Sequence, residues 1–195
     1  MLKQKNTDKI TDMNKYFSFV FEVVKITVIA LLIVLPIRYF LFQPFFVNGQ
    51  SMEPNFSQND YLIIDEMSYR LGDPERGDIV VFKYPEDPSK RFIKRVIGLP
   101  GETVDVSNGQ VIINGKDGSK VLDETGYLPY NVFTTGNVKI SMREDEYFVM
   151  GDNRAVSFDS RSWGILPRKN IIGKVFLRVW PFTSLHEFNT LDYNN

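Results

Sequence analysis

Arg91-Phe92-Ile93-Lys94-Arg95-Val96-Ile97, followed at once by Gly98-Leu99-Pro100-Gly101, sets the fold class of this chain. A run rich in β-branched and aromatic residues, closed by a Gly/Pro cluster, reads as a strand entering a turn. Alternate residues of a strand share a face, so Phe92, Lys94 and Val96 point one way and Arg91, Ile93, Arg95 and Ile97 the other. Each face carries both charge and apolar bulk, and the period leaves open which one is buried. Chemistry separates the cations. Arginine keeps its proton inside a protein, whereas lysine gives it up when apolar walls destabilise the ammonium. Lys94, between Phe92 and Val96, is therefore a candidate base; the plain alternative is a surface lysine on an edge strand.

Outward from this strand the β pattern repeats. Thr103–Val106 and Gln110–Ile113 flank Ser107-Asn108-Gly109, and Asn-Gly between alternating runs predicts a hairpin. Upstream, Tyr61–Asp65 and Asp78–Tyr84 are short, β-rich and bounded by Gly and Pro; downstream, Glu146–Met150 and Ile171–Val179 are further strands, with Phe176 and Leu177 suited to a core. Residues 114–143, rich in Gly, Asp, Thr and Asn, read as an elaboration on that core, and the tail from Thr183 as frayed. The expectation is a mainly β domain, of folded-sheet or barrel kind, spanning residues 44–195.

Before it lies a different kind of segment. Residues 1–15 are polar and carry Lys3, Lys5, Lys9 and Lys15; residues 16–43 are largely apolar, broken by Glu22, Lys25, Arg38 and Gln43. The charge-free part, Ile26–Ile37, is short for a membrane span, but Lys25 and Arg38 can snorkel from its ends. A removable signal peptide shares these features, yet no small-residue cleavage site is well placed in Leu41-Phe42-Gln43-Pro44-Phe45-Phe46-Val47. A single retained anchor across the cell membrane is favoured. The lysine excess puts residues 1–15 in the cytoplasm and the β domain outside.

Composition removes several function classes. Lys+Arg 23 against Asp+Glu 24 gives a formal net charge of -1, which offers nucleic acid no bulk attraction. With no cysteine there is no thiolate nucleophile, disulfide or thiolate metal site, and no cofactor or metal is expected. The one histidine, His186, stands near the C-terminus as a surface or boundary residue. Any serine nucleophile would therefore take lysine as its base.

Such a serine stands where the apolar segment ends, in Asn48-Gly49-Gln50-Ser51-Met52-Glu53-Pro54, on backbone bent by Gly49 and Pro54. A third cluster, Gly151-Asp152-Asn153-Arg154, then Ser157, Asp159, Ser160 and Arg161, reads as an ordered, charge-paired loop able to hold a neighbouring site, or else as an isolated salt-bridged turn.

These clusters, with Arg76-Gly77-Asp78-Ile79-Val80-Val81-Phe82 and the continuation to Glu102, resemble in order and composition the type I signal peptidases, in their shorter, Gram-positive-like form. The resemblance covers most of residues 47–167. It implies a membrane-bound serine endopeptidase that removes signal peptides from secretory preproteins after small residues. Carried over by position, it makes Ser51 the nucleophile, Lys94 its general base and Ser157 a hydroxyl bonded to the lysine. Asp159 and Arg161 become structural ion-pairing residues, Asp152 and Arg154 further supports of that loop, and Met52 a residue packed beside the site and a candidate for the substrate pocket. Two positions depart from the pattern. Gly49 stands where some members have a serine oxyanion donor, which leaves that task to backbone N–H groups at Ser51 and Gly49. Asn55 stands where the family often has Thr. A self-cleaving Ser/Lys repressor-like protein would carry a DNA-binding module in place of the anchor, and a non-catalytic membrane-tethered scaffold would be free to lose Ser51 or Lys94.

Overall fold

The computed structural model describes residues 2–40, 42–130, 132–182 and 186–187. They divide into two compact units, residues 1–41 and 42–195.

The first unit is one helix, α1 (Leu2–Phe40). The polar residues expected as a separate tail are part of it. Its segment Ser18–Leu35 has a mean hydropathy of 2.5 and is long and apolar enough to cross a membrane. Eighteen helical residues span about 27 Å, close to the hydrocarbon thickness of a bilayer.

The second unit is built on two antiparallel sheets. The larger contains β1 (Phe42–Phe46), β2 (Tyr61–Asp65), β3 (Ile79–Lys83), β4 (Arg91–Gly98), β9 (Glu146–Met150), β10 (Leu166–Pro167) and β11 (Ile171–Trp180), in the order β1-β2-β11-β3-β4-β9-β10, with β12 (His186–Glu187) also on β11. The smaller runs β7-β6-β5-β8, from β5 (Thr103–Ser107), β6 (Gln110–Gly115), β7 (Gly118–Val121) and β8 (Val138–Ser141). Short helices α2 (Ser68–Leu71) and α3 (Ser160–Trp163) fill connections.

The predicted hairpin is present: Ser107 pairs with Gln110, while Asn108 and Gly109 both take the positive φ that a type I′ turn requires. Residues 114–143 correct the expectation of a loose elaboration. They supply β7 and β8, which widen the hairpin into the four-stranded sheet. Every residue of β7 is exposed, so it carries no apolar alternation to read. Phe176 and Leu177 are a second correction. Phe176 faces outward, as alternation from the buried Val175 requires, and the core takes Ile171 and Val175 instead. The expected frayed tail lies outside the described residues apart from β12, as does the His186 side chain.

β4 contributes to all three hydrophobic clusters. Ile93 packs with Met52, Phe56, Leu62 and Val175; Val96 with Val80, Phe82 and Val149; Ile97 with Val104, Val106 and Phe148. Both faces of the strand are therefore interior from Ile93 onward. That resolves the ambiguity of its period: Lys94 and Arg95, which point opposite ways, are each 4% exposed.

Candidate active site

The connection from β1 to β2 carries Ser51. Val47 and Asp60 close it through backbone bonds, Val47 N to Asp60 O at 3.0 Å and Asn59 N to Val47 O at 2.9 Å. Met52 and Phe56 sink fully into the core and pin the segment from beneath. Gly49 has φ of +91°, in the left-handed region where a side chain is strained, which accounts for glycine at this position. Met52, expected as a pocket residue, does not line the cleft beside Ser51; its side chain is committed to the core.

Register delivers the amine. Lys94 pairs with Val80 of β3, and the β4–β9 ladder begins one residue on, at Arg95 and Met150. β9 then releases Gly151, and the Asn153 amide donates to Ser51 O at 3.0 Å. The result is a hydrogen bond of 2.7 Å between Lys94 Nζ and Ser51 Oγ. Nζ also donates to Ile93 O at 2.9 Å and stands 5.5 Å from the centroid of the Phe92 ring. Burial drives the Lys94 pKa down to about 8, against the opposing pull of the Asp159 and Asp152 charges.

Those two carboxylates are committed elsewhere. Asp159 takes a fork of two 2.8 Å bonds from Arg161 and another from the Gly151 amide at 3.0 Å. Burial alone would raise its proton affinity, but these donors outweigh it and hold the carboxyl below the usual range. Asp152 takes a second fork, from Arg95 at 2.8 and 2.7 Å, and Arg95 stacks over the Tyr127 ring at 4.0 Å. Arg154, wholly buried, binds both oxygens of Glu124 and the Thr134 hydroxyl. Each expected supporting residue thus lies in one connected network. Of its partners, Arg95 and Asn55 lie in or beside the stretches quoted above, without the roles found here, while Glu124, Tyr127 and Thr134 lie in none of them.

One expectation is not met. Ser157 makes no hydrogen bond to Lys94. Its hydroxyl is buried, faces Asp159 and helps lower that group's proton affinity, without a bond of ordinary geometry. Nζ reaches instead to the carbonyl of its own strand. Gly151 separates Ser157 from Ser51: a Cβ there would collide with both Ser157 Oγ and the Ser51 carbonyl oxygen.

The pair opens on a cleft of about 420 Å³, whose lining includes Phe45, Phe46, Gln50, Phe92, Val156 and Phe158. Residues Arg91–Lys94 are laddered to β3 alone, so their second edge faces this cleft unpaired among the described residues. An extended peptide can be held there by main-chain bonds. A larger cleft of about 500 Å³, lined by Glu66, Arg70, Asp145, Arg168 and Lys169 among others, contains neither Ser51 nor Lys94.

A hydroxyl set against a buried amine, beside an open strand edge, is the equipment of a serine endopeptidase that uses lysine in place of histidine. Comparison with known proteins gives the family. The model of "Signal peptidase, peptidase S26" matches residues 20–180. A probable signal peptidase I-2 of Synechocystis is 45% identical over 82% of this chain and 73% of its own length. Signal peptidase IB of Staphylococcus aureus is 31% identical over 86% and 93%. A crystal structure of a signal peptidase I from Enterococcus faecalis is 32% identical and covers 53% of this chain and 97% of its own, with a TM-score of 0.44. The chain belongs to the signal peptidase family, peptidase S26, and is a serine endopeptidase that removes signal peptides. Neither the repressor-like nor the scaffold reading is favoured by these relatives.

Proposed function

We propose that Ser51 is the nucleophile and Lys94 the general base of this endopeptidase, acting on secretory preproteins at the outer face of the cell membrane. The observation that carries the reading is the 2.7 Å approach of a hydroxyl to an amine that is 4% exposed. With Lys94 neutral, one N–H is retained by Ile93 O, and the lone pair accepts the Ser51 proton as Oγ attacks the scissile carbonyl. The proton passes to the leaving amine, an acyl-enzyme remains on Ser51, and Lys94 then activates the water that releases it. The backbone N–H groups of Ser51 and Gly49 are the oxyanion donors in this scheme. Asp152, Arg154, Asp159 and Arg161 hold the frame, and Ser157 lines it. A narrow cleft between aromatic walls suits small side chains next to the cut. α1 anchors the enzyme in the bilayer as a single span, with the N-terminus in the cytoplasm.

The test is cleavage of a preprotein by membranes carrying the enzyme or its Ser51→Ala variant, with protease protection of either terminus as a measure of orientation. Activity surviving Ser51→Ala sinks the assignment of the nucleophile. An N-terminus digested from outside the cell sinks the orientation.

A further inference from the structure

The structure gives the Asn55 side chain a task that a single hydroxyl donor can do only in part. The amide Nδ2 has two N–H groups and uses both: one bond to Asp152 Oδ2 at 2.8 Å, the other to Tyr127 O at 2.8 Å. The backbone carbonyl oxygen of Asn55 accepts from Arg178 Nη1 at 2.7 Å, and Arg178 also reaches Asp60 at 3.1 Å. A hydroxyl has a single donor, so threonine would leave Tyr127 O or Asp152 without this partner.

The place of these bonds gives them their meaning. Asp152 and Asn153 are neighbours, and each grips one end of the turn that begins at the nucleophile. Asn153 N holds Ser51 O at 3.0 Å, and Asp152 holds the Asn55 amide. The same Asp152 carboxylate takes the fork from Arg95, the residue beside Lys94 on β4. One carboxylate therefore ties the nucleophile's turn to the base's strand, through side chains on either side of it. Asp152 has no exposed side-chain surface, so water does not replace a lost donor there.

We propose that Asn55 is a positioning residue for the Ser51–Lys94 pair: its amide clamps the Ser51–Asn55 turn to Asp152 and so sets the distance at which the hydroxyl meets the amine. This rests on the roles given to Ser51 and Lys94 above. Removing the amide does not release the segment, because Met52, Phe56 and the Arg178 bond to the Asn55 carbonyl all remain. The turn loses its tie to Asp152 at the Asn55 end while the Asn153 bond to Ser51 stays, and reacting groups displaced by about 1 Å lose up to roughly a hundredfold in rate.

The experiment uses the full chain in detergent with one preprotein, comparing the parent with Asn55→Ala, Asn55→Thr and Asn55→Asp and normalising rates to the folded fraction from thermal unfolding. The expected result is a kcat lower by about 10- to 100-fold in Asn55→Ala, with KM within about twofold since no cleft wall is touched. Asn55→Thr should recover part of this through its one donor, and Asn55→Asp, which sets a carboxylate against Asp152, should fall below Asn55→Ala. A kcat per folded molecule within twofold of the parent in Asn55→Ala, or a loss carried by KM alone, overturns the inference. If Asn55→Ala does not fold, Asn55→Thr decides by the same kcat and KM criteria. A parent enzyme that cleaves normally while Ser51→Ala is inert keeps the Ser51 assignment standing whichever way Asn55 falls. A Ser51→Ala variant that still cleaves sinks that assignment instead.

Discussion

Lys94 Nζ lies 2.7 Å from Ser51 Oγ although 43 residues separate them in the chain. Two strand registers and one loop closure bring them together: β3 aligns β4, β4 aligns β9, and the chain leaving β9 binds the carbonyl of Ser51. The pair has little freedom of its own, since Met52 and Ile93, one on each side of it, are buried in the same core cluster.

Lys94→Arg keeps the positive charge but cannot act as a base. Preprotein cleavage should drop by about 10²–10⁴-fold in kcat, the usual scale of a lost general base. A near-parental rate would remove Lys94 from the mechanism.

The pH dependence follows from the same group. With its pKa depressed to about 8, Lys94 is protonated and idle in acid. The profile of kcat/KM should therefore fall about tenfold per pH unit on the acid side of 8 and level off above it. A profile flat from pH 6 to 9 contradicts this.

Stability should move the opposite way to activity in a variant that removes the amine. Between pH 8 and the ordinary lysine value of 10.5 the unfolded chain holds more protons at this site than the folded one, so the Lys94 contribution to stability rises with pH across that window. Below it both states are protonated and the cost of burying the charge is fully felt. Lys94→Met should thus stabilise the fold at pH 7 by up to about 3 kcal/mol, with the gain shrinking toward pH 10. Denaturant unfolding at the two pH values measures it.

Gly151→Ala tests the packing between Ser157 and Ser51. The added methyl meets the Ser51 carbonyl oxygen, which is backbone and cannot swing aside. The nucleophile must shift, and activity should fall at least tenfold with only a modest change in thermal midpoint.

Asp152→Ala leaves the Arg95 guanidinium buried without its carboxylate. Loss of one member of a buried pair costs about 3–5 kcal/mol. The double variant Arg95→Met/Asp152→Leu should recover much of that stability without recovering activity, as read by thermal unfolding alongside preprotein cleavage.

The departure at Gly49 was visible in the sequence, but its cause, a positive φ, belongs to the folded loop. The charged cluster of residues 151–161 was legible as a set of paired ions, and the pairing of Asp159 with Arg161 was implied by the family resemblance. Which arginine served Asp152 was not legible, because Arg95 stands 57 residues upstream and its neighbour Lys94 points to the other face. β7 escaped notice because a strand with no buried face has no period to detect. Phe176 was misplaced because neighbouring strand residues face opposite ways, and the inward face here is the one that carries Ile171, Gly173 and Val175.

By itself the amino-acid order determined the apolar helix, the run of short strands, the Asn-Gly hairpin and the restriction of any serine chemistry to a lysine base, since these depend on local period, turn geometry and the absence of thiols. Only the tertiary structure decided that both faces of β4 are interior, that the amine is dry, and that the carboxylates near it are each engaged by an arginine. Proton affinity is a property of surroundings, and the surroundings of Lys94 are assembled from segments far apart along the chain.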